Sequence, residues 1–183
     1  MKFILVRHGE TDYNNENRIQ GVINRLLNNK GRNQAKVVRG ELKDTKIDYC
    51  YVSPLVRCVE TAMIIIGDRV EMIPDKRLIE RNMGELEGEL GSSYDPTSYW
   101  DFSLNLSERG IECIKDIYDR CKSFLDYVIN KYDNDATILI VTHAAPLRMM
   151  YHILNRTDLN SSLLFDIKNC EYRQIEINKD NFI

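Results

Sequence analysis

Two of the three histidines in this 183-residue chain stand directly behind apolar runs. His8 follows Lys2-Phe3-Ile4-Leu5-Val6-Arg7, and His143 follows Thr137-Ile138-Leu139-Ile140-Val141-Thr142. Short apolar, β-branched runs read as buried strands, and open α/β sheets keep their chemistry at the carboxyl ends of strands. The residues around His8 suit one task. Arg7 can grip a phosphate with its guanidinium fork, Gly9 lets the backbone approach it, and an imidazole can attack phosphorus. The third histidine, His152, falls inside a helical pattern and reads as structural.

Two further segments carry matching chemistry. The run 47–52 leads into Ser53-Pro54-Leu55-Val56-Arg57, which places Arg57 in the first turn of a following helix as a second phosphate fork. The segment Leu78-Ile79-Glu80-Arg81 offers Glu80 as a proton donor to a leaving oxygen. Behind His143, Pro146 suits the first position of a helix, whose free N–H groups favour an anion.

The elements that must position these groups are legible by period. Strands are expected at 2–6, 47–52, 137–141 and 172–177, with a weaker one at 70–73. Helices are expected at 31–42, 55–66, 107–131 and 146–154. Strands alternating with helices predict an α/β fold, a three-layer α/β/α sandwich on a mostly parallel central sheet. The alternation in 172–177 suits an antiparallel edge strand. One domain over 1–183 is expected. The stretch 85–105 resists assignment; with Tyr94, Tyr99, Trp100 and Phe102 among glycines and a proline, it reads either as a lid over the site or as a packed surface excursion. Its aromatic side chains suit stacking on a leaving group or the core equally.

Composition narrows the partners. A net charge of −3 argues against nucleic acid and anionic membranes, so any phosphate site must be a local basic pocket. The opening apolar run is too short for a signal h-region, and no run reaches membrane-spanning length, which predicts a cytoplasmic protein. The 5 cysteines lack CxxC spacing and read as reduced core thiols. Nothing in the pattern specifies an oligomer.

Together, Arg7-His8-Gly9-Glu10-Thr11, the 53–62 segment with Arg57, the Glu80 segment closing at Gly88, and Thr142-His143 resemble the histidine phosphatase superfamily, in its phosphoglycerate mutase-like branch. Asn14, Arg18-Ile19-Gln20-Gly21, Gly31, Gln34 and Ala35 follow the same pattern. The resemblance implies a phosphatase for a small phosphorylated metabolite that needs neither metal nor cofactor. It makes His8 the nucleophile that becomes phosphorylated and Glu80 the acid, then the base for water. Arg7, Arg57 and His143 would bind the phosphoryl oxygens as two guanidiniums and an imidazolium, with Asn14 and the backbone at Ala144 beside them. Gln20 and Gly21 are candidates for the substrate side, as are Tyr99 and Trp100 of the 85–105 stretch, whose aromatics suit the core equally.

Three departures stand out. Ala144-Ala145 replaces the glycine or glycines usual after the second histidine. Asn24-Arg25-Leu26-Leu27 stands where an Asp and a Pro are common, and Arg25 there reads chiefly as a surface residue. The 85–105 stretch is shorter and more acidic than the insertion of bisphosphoglycerate-dependent mutases, which favours a phosphatase over a mutase. A non-catalytic phospho-ligand scaffold is the third alternative, opposed by the complete set of reactive residues. Other phosphatase chemistries fit poorly. No cysteine has an arginine six positions on, and the DxDxT pattern of 133–137 precedes its strand instead of ending one.

Overall fold

Alternation decides which way each strand residue points, and the sheet sorts them accordingly. The computed structural model describes residues 1–93, 95–159 and 165–182. Strands β1 (Lys2–Arg7), β2 (Tyr49–Val52), β3 (Met72–Pro74), β4 (Thr137–Thr142) and β5 (Tyr172–Glu176) form one sheet in the order β3-β2-β4-β1-β5. Pairs β1–β4, β2–β4 and β2–β3 are parallel, and β5 runs antiparallel on the edge beside β1. The helices are α1 (Asp12–Asn15), α2 (Asn29–Glu41), α3 (Val56–Ile66), α4 (Pro96–Tyr99), α5 (Ile114–Lys131) and α6 (Ala144–Asn155). Among the described residues, no helix is long and apolar enough to cross a membrane.

Phe3, Leu5, Tyr51, Ile138 and Ile140 face one side and pack on α5 and α6. Their chain neighbours Ile4, Val6, Cys50, Val52, Leu139 and Val141 face the other side and pack on α2 and α3. This period of two makes the three layers. In α5, Ile114, Ile117, Cys121, Phe124, Leu125 and Val128 form the buried stripe that a 3.6-residue period requires. All five cysteines are buried and unpaired.

Two helix starts differ from the expectation. The helix expected over 107–131 begins only at Ile114. Arg109 and Gly110 adopt left-handed φ of 55° and 72°, which breaks the helical path there. The helix expected from Pro146 begins two residues earlier, at Ala144, with His143 as its N-cap. Proline is still tolerated because its N–H would lack a partner in the first turn.

The 85–105 stretch is packed onto the body of the protein. Trp100 is only 7% exposed and belongs to the core shared with α5 and α6. The guanidiniums of Arg81 and Arg148 lie over its ring at 5.4 and 4.7 Å. Phe102 meets Tyr118 edge-on with centroids 6.0 Å apart. Tyr94 lies outside the described residues.

Candidate active site

Register brings the two histidines together. Arg7 pairs with Thr142 in the β1–β4 ladder, and the His8 N–H extends that ladder by donating to the Thr142 carbonyl at 2.9 Å. The next residues, His8 and His143, therefore leave adjacent strand ends side by side, with ring centroids 5.2 Å apart. The Ser53 N–H donates to the Val141 carbonyl, which places β2's end and the start of α3 next to them. A cavity of about 220 Å³ opens over these ends, lined among others by Arg7, His8, Asn14, Gln20, Arg57, Glu80, Trp100 and Ala144.

His8 is 2% exposed. Its Nδ1 lies 2.7 Å from the Gly9 carbonyl, which can only accept, so Nδ1 carries the proton and Nε2 carries the lone pair. Burial, reinforced by the Arg57 and Arg7 guanidiniums, pushes its pKa well below the ordinary histidine value. The ring is thus a neutral imidazole, the form that attacks. Gly9 is required by close approach: a Cβ there would meet the backbone of Gly31. Its N–H donates to Thr61 Oγ1 of α3 at 3.0 Å.

Arg57 is fully buried and held on three sides. Its Nη2 donates to the Gly21 carbonyl at 2.8 Å, Nη1 to the Ile23 carbonyl at 2.9 Å, and Nε to His143 Nδ1 at 3.1 Å. Arg7 donates through Nη1 to the Ile167 carbonyl at 2.7 Å, while its buried Nε has no partner. His143 accepts at Nδ1, so Nε2 carries its proton, 2.8 Å from Ser53 Oγ and 3.4 Å from Cys58 Sγ. Burial first, then Arg57 and His8, lowers its pKa well below the ordinary value. The imidazolium implied by the resemblance is therefore a neutral imidazole here. Its environment is a buried cationic cluster, which disfavours a further positive charge.

Glu80 takes the place foreseen for an external anion. Its carboxylate accepts the N–H groups of Ala144 and Ala145 at 3.1 Å each and that of Arg81 at 2.9 Å. The α6 N-terminus holds it through the positive end of the helix. Ala144 and Ala145 are not among the residues with positive φ, so alanine serves there without strain.

The remaining assignments divide. Gln20 lines the cavity, and its Oε1 accepts the Thr11 hydroxyl at 2.7 Å. Gly21 meets Arg57 through its carbonyl and needs glycine, since φ is +49° and a Cβ would collide with the Glu87 carboxylate. Trp100 reaches the cavity wall. Tyr99 does not; its ring packs by Met83, Leu86 and Ile111, and its carbonyl accepts from Arg81 at 2.9 Å. Helical phase explains this, since α4 ends at Tyr99 and turns only the next residue toward the cavity. Arg25 lies over the exposed face of Tyr13, 4.4 Å from its centroid, away from the cavity lining.

Sequence reasoning missed the strap 167–171. Besides the Ile167 carbonyl on Arg7, Asn169 Nδ2 donates to the His8 carbonyl at 3.0 Å, and the Cys170 N–H donates to the Arg7 and His8 carbonyls. Ser53 and Thr61 were also missed; their only signal was position, one at a strand end and one on the first turns of α3.

Fold and site together define a class. The profile of the histidine phosphatase superfamily (branch 1) matches residues 3–183, and the chain belongs to that superfamily. It is 36% identical over 186 residues to phosphoglycerate mutase-like protein 4 of Arabidopsis thaliana, covering 90% of this chain and 80% of that one. It is 33% identical over 184 residues to phosphoserine phosphatase 1 of Hydrogenobacter thermophilus, covering 97% and 87%. Among solved structures, Bacillus stearothermophilus YhfR superposes with a TM-score of 0.86 at 28% identity, over 96% of this chain and 91% of that one. A phosphoserine phosphatase mutant from Entamoeba histolytica, in complex with phosphoserine, superposes with 0.81 at 25% identity, over 94% and 89%.

Proposed function

We propose that this protein hydrolyses a small phosphomonoester through a phosphohistidine on His8. The observation that carries the reading is the state of His8: a neutral ring with its proton committed to Gly9 and its Nε2 lone pair left for phosphorus, between two buried guanidiniums. Phosphoryl transfer needs in-line positioning and charge neutralisation more than covalent help.

In the first step His8 Nε2 forms a bond to phosphorus while the bond to the leaving oxygen breaks. Glu80 gives that oxygen a proton, and the leaving group departs as an alcohol. The arriving phosphoryl group takes the α6 N–H groups from Glu80. In the second step Glu80 takes a proton from water, the water oxygen bonds to phosphorus, and the P–N bond breaks. Inorganic phosphate leaves and His8 regains its lone pair. Arg7, Arg57, Asn14 and the Ala144 N–H hold the phosphoryl oxygens. His143 keeps Arg57 aimed by accepting its Nε–H at the unprotonated Nδ1. Gln20 and Trp100 border the leaving group. The packed 85–105 stretch shapes one wall of this single domain, and the five buried thiols fit a reducing compartment such as the cytoplasm.

The small cavity and its cationic rim, with Arg18 at the mouth, favour a compact acidic leaving group. The relatives named as phosphoserine phosphatases agree with that size. The test is phosphate release from phosphoserine, 3-phosphoglycerate, sugar phosphates and nucleoside monophosphates, with His8→Ala as control. Rapid quenching of the turnover mixture should trap an acid-labile, alkali-stable phosphoprotein that His8→Ala lacks. Interconversion of phosphoglycerates faster than phosphate release would replace the phosphatase by a mutase. Unchanged turnover of p-nitrophenyl phosphate by His8→Ala would remove His8 from the reaction.

A further inference from the structure

Asn169 lies on the strap 167–171, far in sequence from every motif residue, and both hydrogens of its amide are committed at the site. One goes to the His8 carbonyl at 3.0 Å and the other to Asn14 Oδ1 at 3.3 Å. The first contact fixes the orientation of Asn169, because a backbone carbonyl can only accept. The second then fixes Asn14. The same Asn14 Oδ1 also receives the Thr11 backbone N–H at 3.1 Å, a group that can only donate. Two independent donors thus hold the oxygen of Asn14, a residue that lines the cavity, toward Thr11 and Asn169. Thr11 completes the array. Its hydroxyl accepts the Asn14 backbone N–H at 3.3 Å and stands 3.1 Å from Asn14 Oδ1 and 2.7 Å from Gln20 Oε1. Among the described residues, Asn14 Nδ2 meets no protein acceptor.

We infer that Asn169 is a positioning residue that, together with the Thr11 N–H, holds the flip of the Asn14 amide, so that its N–H2 group and not its oxygen is left for a bound phosphoryl group. The inference rests on the reading of this cavity as a phosphate site and adds to it a selector of amide orientation. An unpinned amide could rotate its oxygen toward the phosphate, and an oxygen facing an anion repels it. The strap therefore preorganises a donor for negative charge. The same amide ties the His8 backbone to Asn14, which makes nucleophile and anion donor one rigid unit.

Inhibition by inorganic phosphate of p-nitrophenyl phosphate hydrolysis tests this, together with kcat, KM and the melting temperature of each variant. Asn14→Ala should raise the phosphate Ki about tenfold, the loss of one hydrogen bond to a charged group. Asn169→Ala should raise it several-fold through the released amide. Asn169→Asp should raise it more than Asn169→Ala, because a carboxylate beside the His8 carbonyl rotates the Asn14 N–H2 inward and its oxygen outward. In an Asn14→Ala background, Asn169→Ala should add nothing to Ki, since the two act through one group. Equal effects of Asn169→Ala with and without Asn14, or a Ki that merely follows melting temperature across the set, would overturn the inference. Should Asn169→Ala fail to fold, Asn169→Ser and Asn169→Asp carry the same comparison. A wild-type protein that phosphate does not inhibit, with Asn14→Ala no different, overturns the reading of the cavity itself.

Discussion

Acidifying the protein from pH 7.5 to 5.5 should unfold it far more readily, and the reason lies in the two buried histidines at its strand ends. His8 and His143 are buried beside Arg57, and both have pKa values well below the ordinary 6.5. A histidine whose folded pKa is depressed binds fewer protons folded than unfolded. Its stabilising contribution is full above the unfolded value and is lost as pH falls below about 6.5. For a ring that stays neutral throughout, integration from pH 7.5 to 5.5 gives about 1.4 kcal/mol, hence about 2.7 kcal/mol for the pair. That is a large share of a typical stability of about 5–15 kcal/mol. Carboxylates with lowered pKa, such as Glu10, Asp48 and Glu171, lose their contribution only below the ordinary carboxylate range and leave this window clear. His152 is shifted downward too and adds in the same direction. Urea unfolding at pH 7.5, 6.5 and 5.5 measures the loss. His8→Gln or His143→Gln should each remove about half of the pair's share, about 1.4 kcal/mol. A stability that is flat across the window, or variants that lose as much as the wild type, would refute the neutral-histidine assignment.

Glu80→Gln should lower turnover of an alkyl phosphate by about 10²–10⁴, yet much less for p-nitrophenyl phosphate, whose leaving group needs little protonation. Equal losses on both substrates would take the proton-donor role from Glu80. Gly21→Ala forces a side chain toward the Glu87 carboxylate at a positive φ and shifts the carbonyl that holds Arg57. It should cost about 1–3 kcal/mol and raise KM more than it lowers kcat, read from thermal melting and steady-state kinetics. Trp100→Ala should destabilise by about 3–5 kcal/mol, because it empties the space between the Arg81 and Arg148 guanidiniums. A melting temperature within a degree or two of wild type would show that the excursion does not need its anchor.

The parts of the molecule that were legible beforehand are those encoded by side-chain type and period. The apolar runs before His8 and His143 became β1 and β4, and parallel pairing in register made the two histidines neighbours. Arg57 and Glu80 fell into the cavity for the same reason, each following a strand end. The start of α6 was misplaced because Ala144 and Ala145 carry no capping side chain, which left Pro146 as the visible marker. The α5 boundary was hidden in Arg109, a residue with no sequence sign of its left-handed φ. What tethers the arginines was invisible altogether. The carbonyls of Gly21, Ile23 and Ile167 are backbone groups, and any residue could supply them.

Those carbonyls also bear on how the proposed site would bind a dianion. Burying a guanidinium is costly unless it is hydrogen-bonded, and the usual remedy is a carboxylate. A carboxylate would satisfy the charge and cancel the field. Here, among the described residues, neither Arg7 nor Arg57 forms an ion pair; the ion pairs all lie on other residues. Arg57 is held by two carbonyls and an imidazole, and Arg7 by one carbonyl, with its buried Nε unpartnered. These partners fix the geometry of the cations and leave their charge uncompensated. Burial first, and then the buried guanidiniums, keep both imidazoles neutral, the state the proposed nucleophile needs. Among the described residues, the carboxylate that lines the cavity is that of Glu80, and it is parked on the amides of α6. In the proposed reaction an incoming phosphoryl group therefore meets cations already desolvated and aimed, and the carboxylate it displaces from the α6 amides is the proposed proton donor to the leaving oxygen.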